Sequence, residues 1–495
     1  TGKLRVVNSL ESGSNTAVVE SEKSKNASDR NEDGDKLMPS TRDGETTPLS
    51  LEAAEALSKA VPKDVQARGR NAADASNNFP EVDQVASGRN PISRFAPAMP
   101  ESAGDKAPEL KITNMTLAPV EAVNGRFPSS RELPPADYKG PVFEISQDFP
   151  QALPPKENLP WLKYDFKTQM PEYMQAVLDY IMEGNPEVNF AGQQNEARKW
   201  FHAPWLHYGT SGREFINGLT MERNSRPGEL SYSQTKQYQN WGIGMYNPAG
   251  AYTLGQVWKN PDQPNTTNIS FPEGAVSFKL LYTEAPVKEV PHLQGAPELN
   301  ANIYTESASP MPEGMPKVIK PVRLVQIDVA IKDNRATETG WVLGTFVYNN
   351  KVQHENPYRR VQPVGVAWGS DPDTTRARLF LGEKLQQQTL NKSPDLPPQH
   401  LGWAGRLNGP VDNPISSCIS CHSRAEWPAS NVMPPKTTEY DSKEFMKWFT
   451  NVKGGTAYTP GSDSLDYSLQ LTEGVKHFYE WKAKQGVKKH LNSRK

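Results

Sequence analysis

Cys418 and Cys421 stand three positions apart, and His422 directly follows the second, in the run Ser417-Cys418-Ile419-Ser420-Cys421-His422-Ser423. They are the only two cysteines among 495 residues. Two thiols on one turn of chain can each form a thioether to one vinyl group of the same haem. The imidazole that follows then sits under the iron. Two cysteines and eight histidines scattered at random would give this pattern on the order of 10⁻⁴ of the time. A disulfide framework for so long a chain would need more cysteines. A thioredoxin-like redox pair expects a strand before it and a helix after it, within a βαβ unit. Here Asp412-Asn413-Pro414 and a loop lead in. A structural zinc site would need two further ligands, so His422 and a distant histidine would have to be recruited.

The elements that must position this motif read as mixed α and β. Pro171 to Glu183 is expected as a helix, with proline in its first turn. Tyr173, Met174, Val177, Leu178, Ile181 and Met182 form its apolar stripe, and Gly184-Asn185-Pro186 stops it. From Gln239 to about Trp368 the period changes to two. Trp241 to Tyr246, then Asn247 to Gly250, then Ala251 to Val257 reads as strand, turn, strand. Val276 to Tyr282, Val325 to Ile331 and Trp341 to Tyr348 extend the pattern to an antiparallel sheet with one buried face. Helices are expected again over Thr375–Leu390, Ser442–Val452 and Leu465–Gln485. The fold class is therefore α+β, with an antiparallel sheet body and a helical C-terminal haem-binding region.

Three regions follow. Residues 1–110 hold two aromatics, Phe79 and Phe95, and runs such as Ser21 to Lys36 that cannot bury enough apolar surface to offset ordering entropy. They read as a disordered tether with one short helix near Leu49 to Val61. Every tryptophan lies after residue 160, which places a mixed body at 140–370 and the haem-binding region at 371–495. The net charge of −2 leaves no field for nucleic acid. No run of about 18 apolar residues marks a transmembrane helix. The chain begins at Thr1 rather than Met, as expected if a leader has been removed, and a lipid anchor would belong to a cysteine ahead of Thr1.

By Cys418, Cys421 and His422 the chain resembles the c-type cytochromes, over a few dozen residues at most. The resemblance implies one covalent haem c and His422 as proximal iron ligand. It also implies attachment in the periplasm or on the outer surface, and a redox partner protein. The order of a sheet followed by a late attachment motif is similar to the cytochrome P460 and cytochrome c′-beta group. That second resemblance implies a β-rich body and a haem with an open or sterically guarded distal face.

Small class I cytochromes take methionine as sixth ligand from a loop before the last helix. The corresponding loop, Lys453 to Ser464, contains none. Met433, in the run Asn431 to Pro435, is the best alternative, because the eleven residues after His422 can span roughly 36 Å. Met446, among Phe445, Trp448 and Phe449, reads as core. His202 and His207, flanking Ala203 to Leu206, read as hydrogen-bonded structural residues that are candidates for a distal pocket. Lys279 and Arg213 are candidates for proton handling at an open distal face, though a charged residue on a strand ordinarily faces solvent. His477 and His490 read as solvated.

Gly209 to Gly212 lacks hydrolase spacing and reads as a loop or helix start, with Thr210 or Ser211 as cap. The basic tail from Lys482 to Lys495 reads as a solvated helix end that can also guide an acidic partner. Three function classes follow. The preferred one is an electron-transfer haem c protein. The second is a haem enzyme or gas-binding protein with an open distal site. The third is a non-haem interaction protein with a CxxC redox or metal site.

Overall fold

The computed structural model describes residues 122–492, apart from 313, 394, 397–400, 436 and 438, together with a short antiparallel pairing of Val6–Val7 with Val18–Val19. Apart from that pairing, the expectations for residues 1–110 lie outside the described residues. Helix α1 (Met170–Met182) carries the predicted stripe, every member of which is buried. Each such side chain contributes about 1.5–3 kcal/mol when taken from water. Strands β1 (Thr220–Met221) and β2 (Asn240–Tyr246) follow.

Helix α2 (Pro248–Val257) replaces the turn and strand expected there. The buried Asn247 is its N-cap, accepting from the Gly250 amide at 3.0 Å, and Pro248 has the φ that a first helical position needs. Ala251, Leu254 and Val257, three residues apart, then fall on one buried face. Asn247 also accepts from the Val276 amide at 2.9 Å, which ties the cap to the next strand. This cap outweighs the β-favouring residues Tyr252, Thr253 and Val257.

Strands β3 (Val276–Thr283), β4 (Glu298–Tyr304), β5 (Lys317–Lys332), β6 (Trp341–Tyr348) and β7 (Val361–Ala367) come next. Helix α3 (Arg376–Phe380) is much shorter than the expected Thr375–Leu390. Gly382, at φ 91°, turns the chain. The Asp371 carboxylate accepts from the Gln386 and Gln387 amides at 2.7 and 3.0 Å, so the segment emerges extended as β8 (Gln388–Leu390).

Among the described residues the main sheet has eight strands, all antiparallel, in the order β8-β7-β6-β5-β3-β2-β1, with β4 paired to β5. Every residue of β2 and β6 is buried, so the sheet's centre is covered on both faces rather than one. On one face lie Phe278, Leu280, Ile327, Val329 and Phe346, and α1 packs there, with Met174 against Gly344. The other face meets the C-terminal segment.

That segment contains α4 (Cys418–His422), β9 (Glu426–Trp427), α5 (Lys443–Met446) with a 3₁₀ turn Lys447–Phe449, β10 (Asp463–Ser464) and α6 (Leu469–Asn492). A helix starts close to the expected Ser442, which serves as its N-cap, but it breaks up before Val452. Helix α6 starts four residues later than expected, because Asp466 and Tyr467 take left-handed backbone angles of φ 47° and 67°. One hydrophobic cluster joins the sheet to Leu407, Ile419, Leu465, Leu471 and Phe478 of this segment. Met446 packs with Trp403, Phe445 and Phe449 in a second cluster, as expected of a core residue.

Candidate functional site

The Cys-x-x-Cys-His motif forms the five-residue helix α4. Its start is held by a reciprocal cap: the Ser420 amide donates to Ser417 Oγ at 3.1 Å, and the Ser417 amide donates to Ser420 Oγ at 2.8 Å. The Cys418 amide donates to the Leu407 carbonyl at 3.1 Å, which ties the helix to the loop before it. Both cysteines are free. Burial pushes the Cys418 thiol well up, with Asp412 and Asp328 adding to it, and burial pushes Cys421 up to about 11. A redox-active Cys-x-x-Cys needs the opposite shift, toward thiolate.

His422 Nδ1 lies 2.8 Å from the Tyr467 carbonyl oxygen. A carbonyl only accepts, so Nδ1 carries the proton and Nε2 keeps its lone pair for a metal. Burial holds the imidazole below its ordinary pKa, in the neutral form that ligates.

The Tyr467 carbonyl is itself fixed. Asp466, fully buried, accepts from Lys332 Nζ at 2.9 Å, from Trp341 Nε1 at 2.8 Å and from the Phe271 amide at 2.6 Å. The ends of β5 and β6 thus clamp the residue beside the one that orients His422.

Above the motif lies a cavity of about 1060 Å³, the open solvent at its mouth included. Cys418, Cys421 and His422 line one wall. The opposite wall is the sheet, whose register sets two rows across β2, β3, β5 and β6. One row reads Gly244–Lys279–Asp328–Thr345 and the next reads Tyr246–Ser277–Ala330–Leu343. Residues paired directly across strands share a face.

Lys279, a candidate for a distal face although a strand charge ordinarily meets solvent, lines the cavity. It pairs with Glu222 at 2.6 Å. Asp328 accepts from Thr345 Oγ1 at 2.9 Å and from Gln326 Nε2 at 2.8 Å, and the same amide reaches Asp412 at 3.0 Å. Burial, with the Asp412 carboxylate beside it, pushes the Asp328 carboxyl up to about 8. It holds a proton through most of the neutral range.

Met433 lines the cavity as well. Its sulfur lies 3.9 Å from Cys421 Sγ and accepts from Asn413 Nδ2 at 3.6 Å. This is the rim where a thioether would form. Among the described residues, His422 and Met433 are the histidine and the methionine that line it.

His202 and His207 are buried elsewhere. His202 Nδ1 accepts from the Ser146 amide at 3.0 Å, and His207 packs beside Trp205. Arg213 is also away from this cavity, buried, with Nη2 on the Ala203 carbonyl at 2.7 Å. His477, read as solvated, is mostly buried, and its Nδ1 meets the Trp205 carbonyl at 3.0 Å because α6 lays that face on the Trp205 loop. Lys482 donates to the Asp262 carbonyl at 3.2 Å and Lys484 Nζ lies 5.3 Å from the centre of the Tyr208 ring, while the side chains from 486 onward, His490 among them, lie outside the described ones. Gly209 to Gly212 is a turn.

Sequence reading missed Glu222, Asp328 and Asp412. The one legible signal was the polar set Gln326, Asp328 and Lys332 alternating along a strand. Among the described residues no group of three or more His, Cys, Asp or Glu side chains is placed to hold a metal ion, and no helix is long and apolar enough to cross a membrane. Compared with protein-family models, curated proteins and solved structures, the chain matches none.

Proposed function

We propose that this chain is a haem c protein that transfers single electrons outside the cytoplasm. Cys418 and Cys421 would hold the porphyrin edge and His422 would be the proximal ligand. The observation that carries the reading is His422 itself: its Nδ1 is committed to the Tyr467 carbonyl, and a cavity lies over the two unpaired thiols beside it. The raised thiols speak against a dithiol redox pair. A bound haem would supply a one-electron iron couple tuned by axial ligand, burial and hydrogen bonds. The protein's own part is to hold the imidazole neutral and aimed, and to exclude bulk water with the sheet wall. A redox partner would dock outside the cavity mouth.

A second reading is favoured by the sheet wall. Lys279, Glu222 and Asp328 give the cavity an ion pair and a protonated carboxyl, and Met433 stands at the rim. Such groups suit a haem whose open sixth position binds a small ligand and exchanges protons with it, as in the cytochrome P460 and c′-beta group.

Visible spectra of oxidised and reduced protein, with and without carbon monoxide, test both readings. Low-spin bands unchanged by carbon monoxide support electron transfer. High-spin bands that shift on adding the gas support the open site. Protein that remains colourless, with no added porphyrin mass, after synthesis with a working haem-attachment system overturns both.

A further inference from the structure

A second cavity, about 960 Å³ with its mouth, lies behind the first. The two share Glu222, Lys279, Leu469 and Gln470 in their walls. Among the lining residues of the second is Arg213, which is 1% exposed. Nη2 donates to the Ala203 carbonyl, but Nη1 meets no protein acceptor. Among the described residues no carboxylate forms an ion pair with it. The other cation in this chamber, Lys279, is already paired with Glu222.

A buried guanidinium without a counter-charge is costly. Water would satisfy an N–H group but not the charge. Gln470 brings a second polar group to the lining of the same chamber. Its Oε1 is buried without a partner. Gly244 makes room for this amide, since a Cβ there would lie 2.3 Å from Gln470 Nε2. The amide can present its NH₂ to an anion by rotating end for end. The mouth is polar, with Ser211 exposed and Thr220 half-buried.

We infer that this chamber is a binding site for a small carboxylate-type anion, held by Arg213 Nη1 and the Gln470 amide. A planar guanidinium suits such an anion, which it can grip through two parallel hydrogen bonds. Two sources share this chemistry: a free anion entering past Ser211, or a carboxylate side arm of a haem reaching through the shared wall. The site stands on Arg213 and Gln470, and it does not require that a haem be present.

The test uses acetate as probe, at constant ionic strength in chloride, with calorimetry and thermal melting as readouts. Two full-length proteins are compared: the wild type, and the Cys418→Ala/Cys421→Ala chain that cannot attach haem. Acetate binding to both points to a free-anion site. Binding to the double variant alone, with haem present in the wild type, points to the side arm as the resident group. In either case Arg213→Met should weaken acetate on the order of 100-fold. Without acetate it should melt no lower than its parent, since an uncompensated buried charge is gone.

Two variants guard against misfolding of that one. Arg213→Lys should keep part of the affinity, and Gln470→Glu, which adds a third carboxylate to Glu222 and Glu473 in the chamber's lining, should abolish binding in a protein with native near-ultraviolet dichroism. If neither protein binds acetate and Arg213→Met leaves the haem midpoint potential where it was, the inference is overturned. Should the wild type carry no haem, it becomes a second haem-free sample, so failure of the haem assignment and failure of this site are read separately.

Discussion

The two walls of the main cavity are built in opposite ways. The motif wall is local: Cys418, Cys421 and His422 occupy five consecutive residues on a helix that caps itself through Ser417 and Ser420. The sheet wall is non-local: Lys279, Asp328 and Thr345 come from separate stretches of chain and meet only through strand register, and Glu222, just past β1, joins them by its ion pair with Lys279. The first wall is a short chemical word that any fold can carry. The second exists only once four strands have paired. The groups suited to bind a cofactor thus sit on the local wall, and the groups suited to tune its protons sit on the wall that folding assembles.

The largest expected effect tests the local wall. Cys418→Ala with Cys421→Ala should abolish covalent haem entirely. Normal covalent haem staining of that variant would remove the motif wall from the comparison.

Next comes the joint between the walls. Asp466→Ala strands Lys332, which is 7% exposed, without its counter-charge and frees the Trp341 indole. A loss of about 3–5 kcal/mol in urea unfolding is expected, by the cost of leaving a buried partner charged and alone. A loss below about 1 kcal/mol would show that the two walls are not clamped here.

The sheet wall can be probed by pH. The folded state holds a proton on Asp328 up to about pH 8, whereas the unfolded chain releases it near 3.8. Between those values the native state binds more protons than the unfolded state, so this carboxyl makes stability fall as pH rises, by less than about 1.4 kcal/mol per unit. Unfolding midpoints of the haem-free protein at pH 5 and pH 8 measure the slope, and Asp328→Asn should flatten it. An unchanged slope would mean that the carboxyl is not held protonated by this wall.

A smaller effect is expected for Lys279→Met, which leaves the partly exposed Glu222 unpaired. It should cost on the order of 1 kcal/mol or less. If the open-site reading holds, it should also slow reactions that deliver a proton to a bound ligand, seen as a changed pH profile of ligand binding.

The smallest is Met433→Leu, a near-isosteric swap at a side chain 37% exposed, expected to cost less than about 1.5 kcal/mol. From its rim position beside Cys421, Met433 should leave the low-spin bands untouched. Their loss in the variant would instead make Met433 the sixth ligand.

Some elements could be read in the chain and others not, for identifiable reasons. Helix α1 and strands β2, β3 and β6 were legible because their apolar periodicity is long and is not interrupted. Helix α2 was not, because Tyr252, Thr253 and Val257 favour strands while its deciding feature is the cap at Asn247, two of whose bonds run to Val276 and Gly274 well ahead in the chain. The end of α3 is set by Asp371, whose carboxylate accepts from the amide of Gln386 fifteen residues downstream, a contact that apolar periodicity does not register. Lys279 was legible as a strand residue, but its place at the cavity rather than in solvent was left open, since alternation reports which face a side chain takes and not what covers that face.

From sequence alone came the Cys-x-x-Cys-His spacing, the antiparallel α+β class and the position of the motif near the C-terminal end. These rest on bonds and periodicities within a few residues, where spacing along the chain is distance in space. The tertiary structure decided that the polar face of β3 and β5 lies beneath the motif rather than in water, that Asp466 locks the carbonyl on His422, and that Arg213 is buried with no ion pair among the described residues. Each of these depends on groups tens to hundreds of residues apart, and only packing sets their distance.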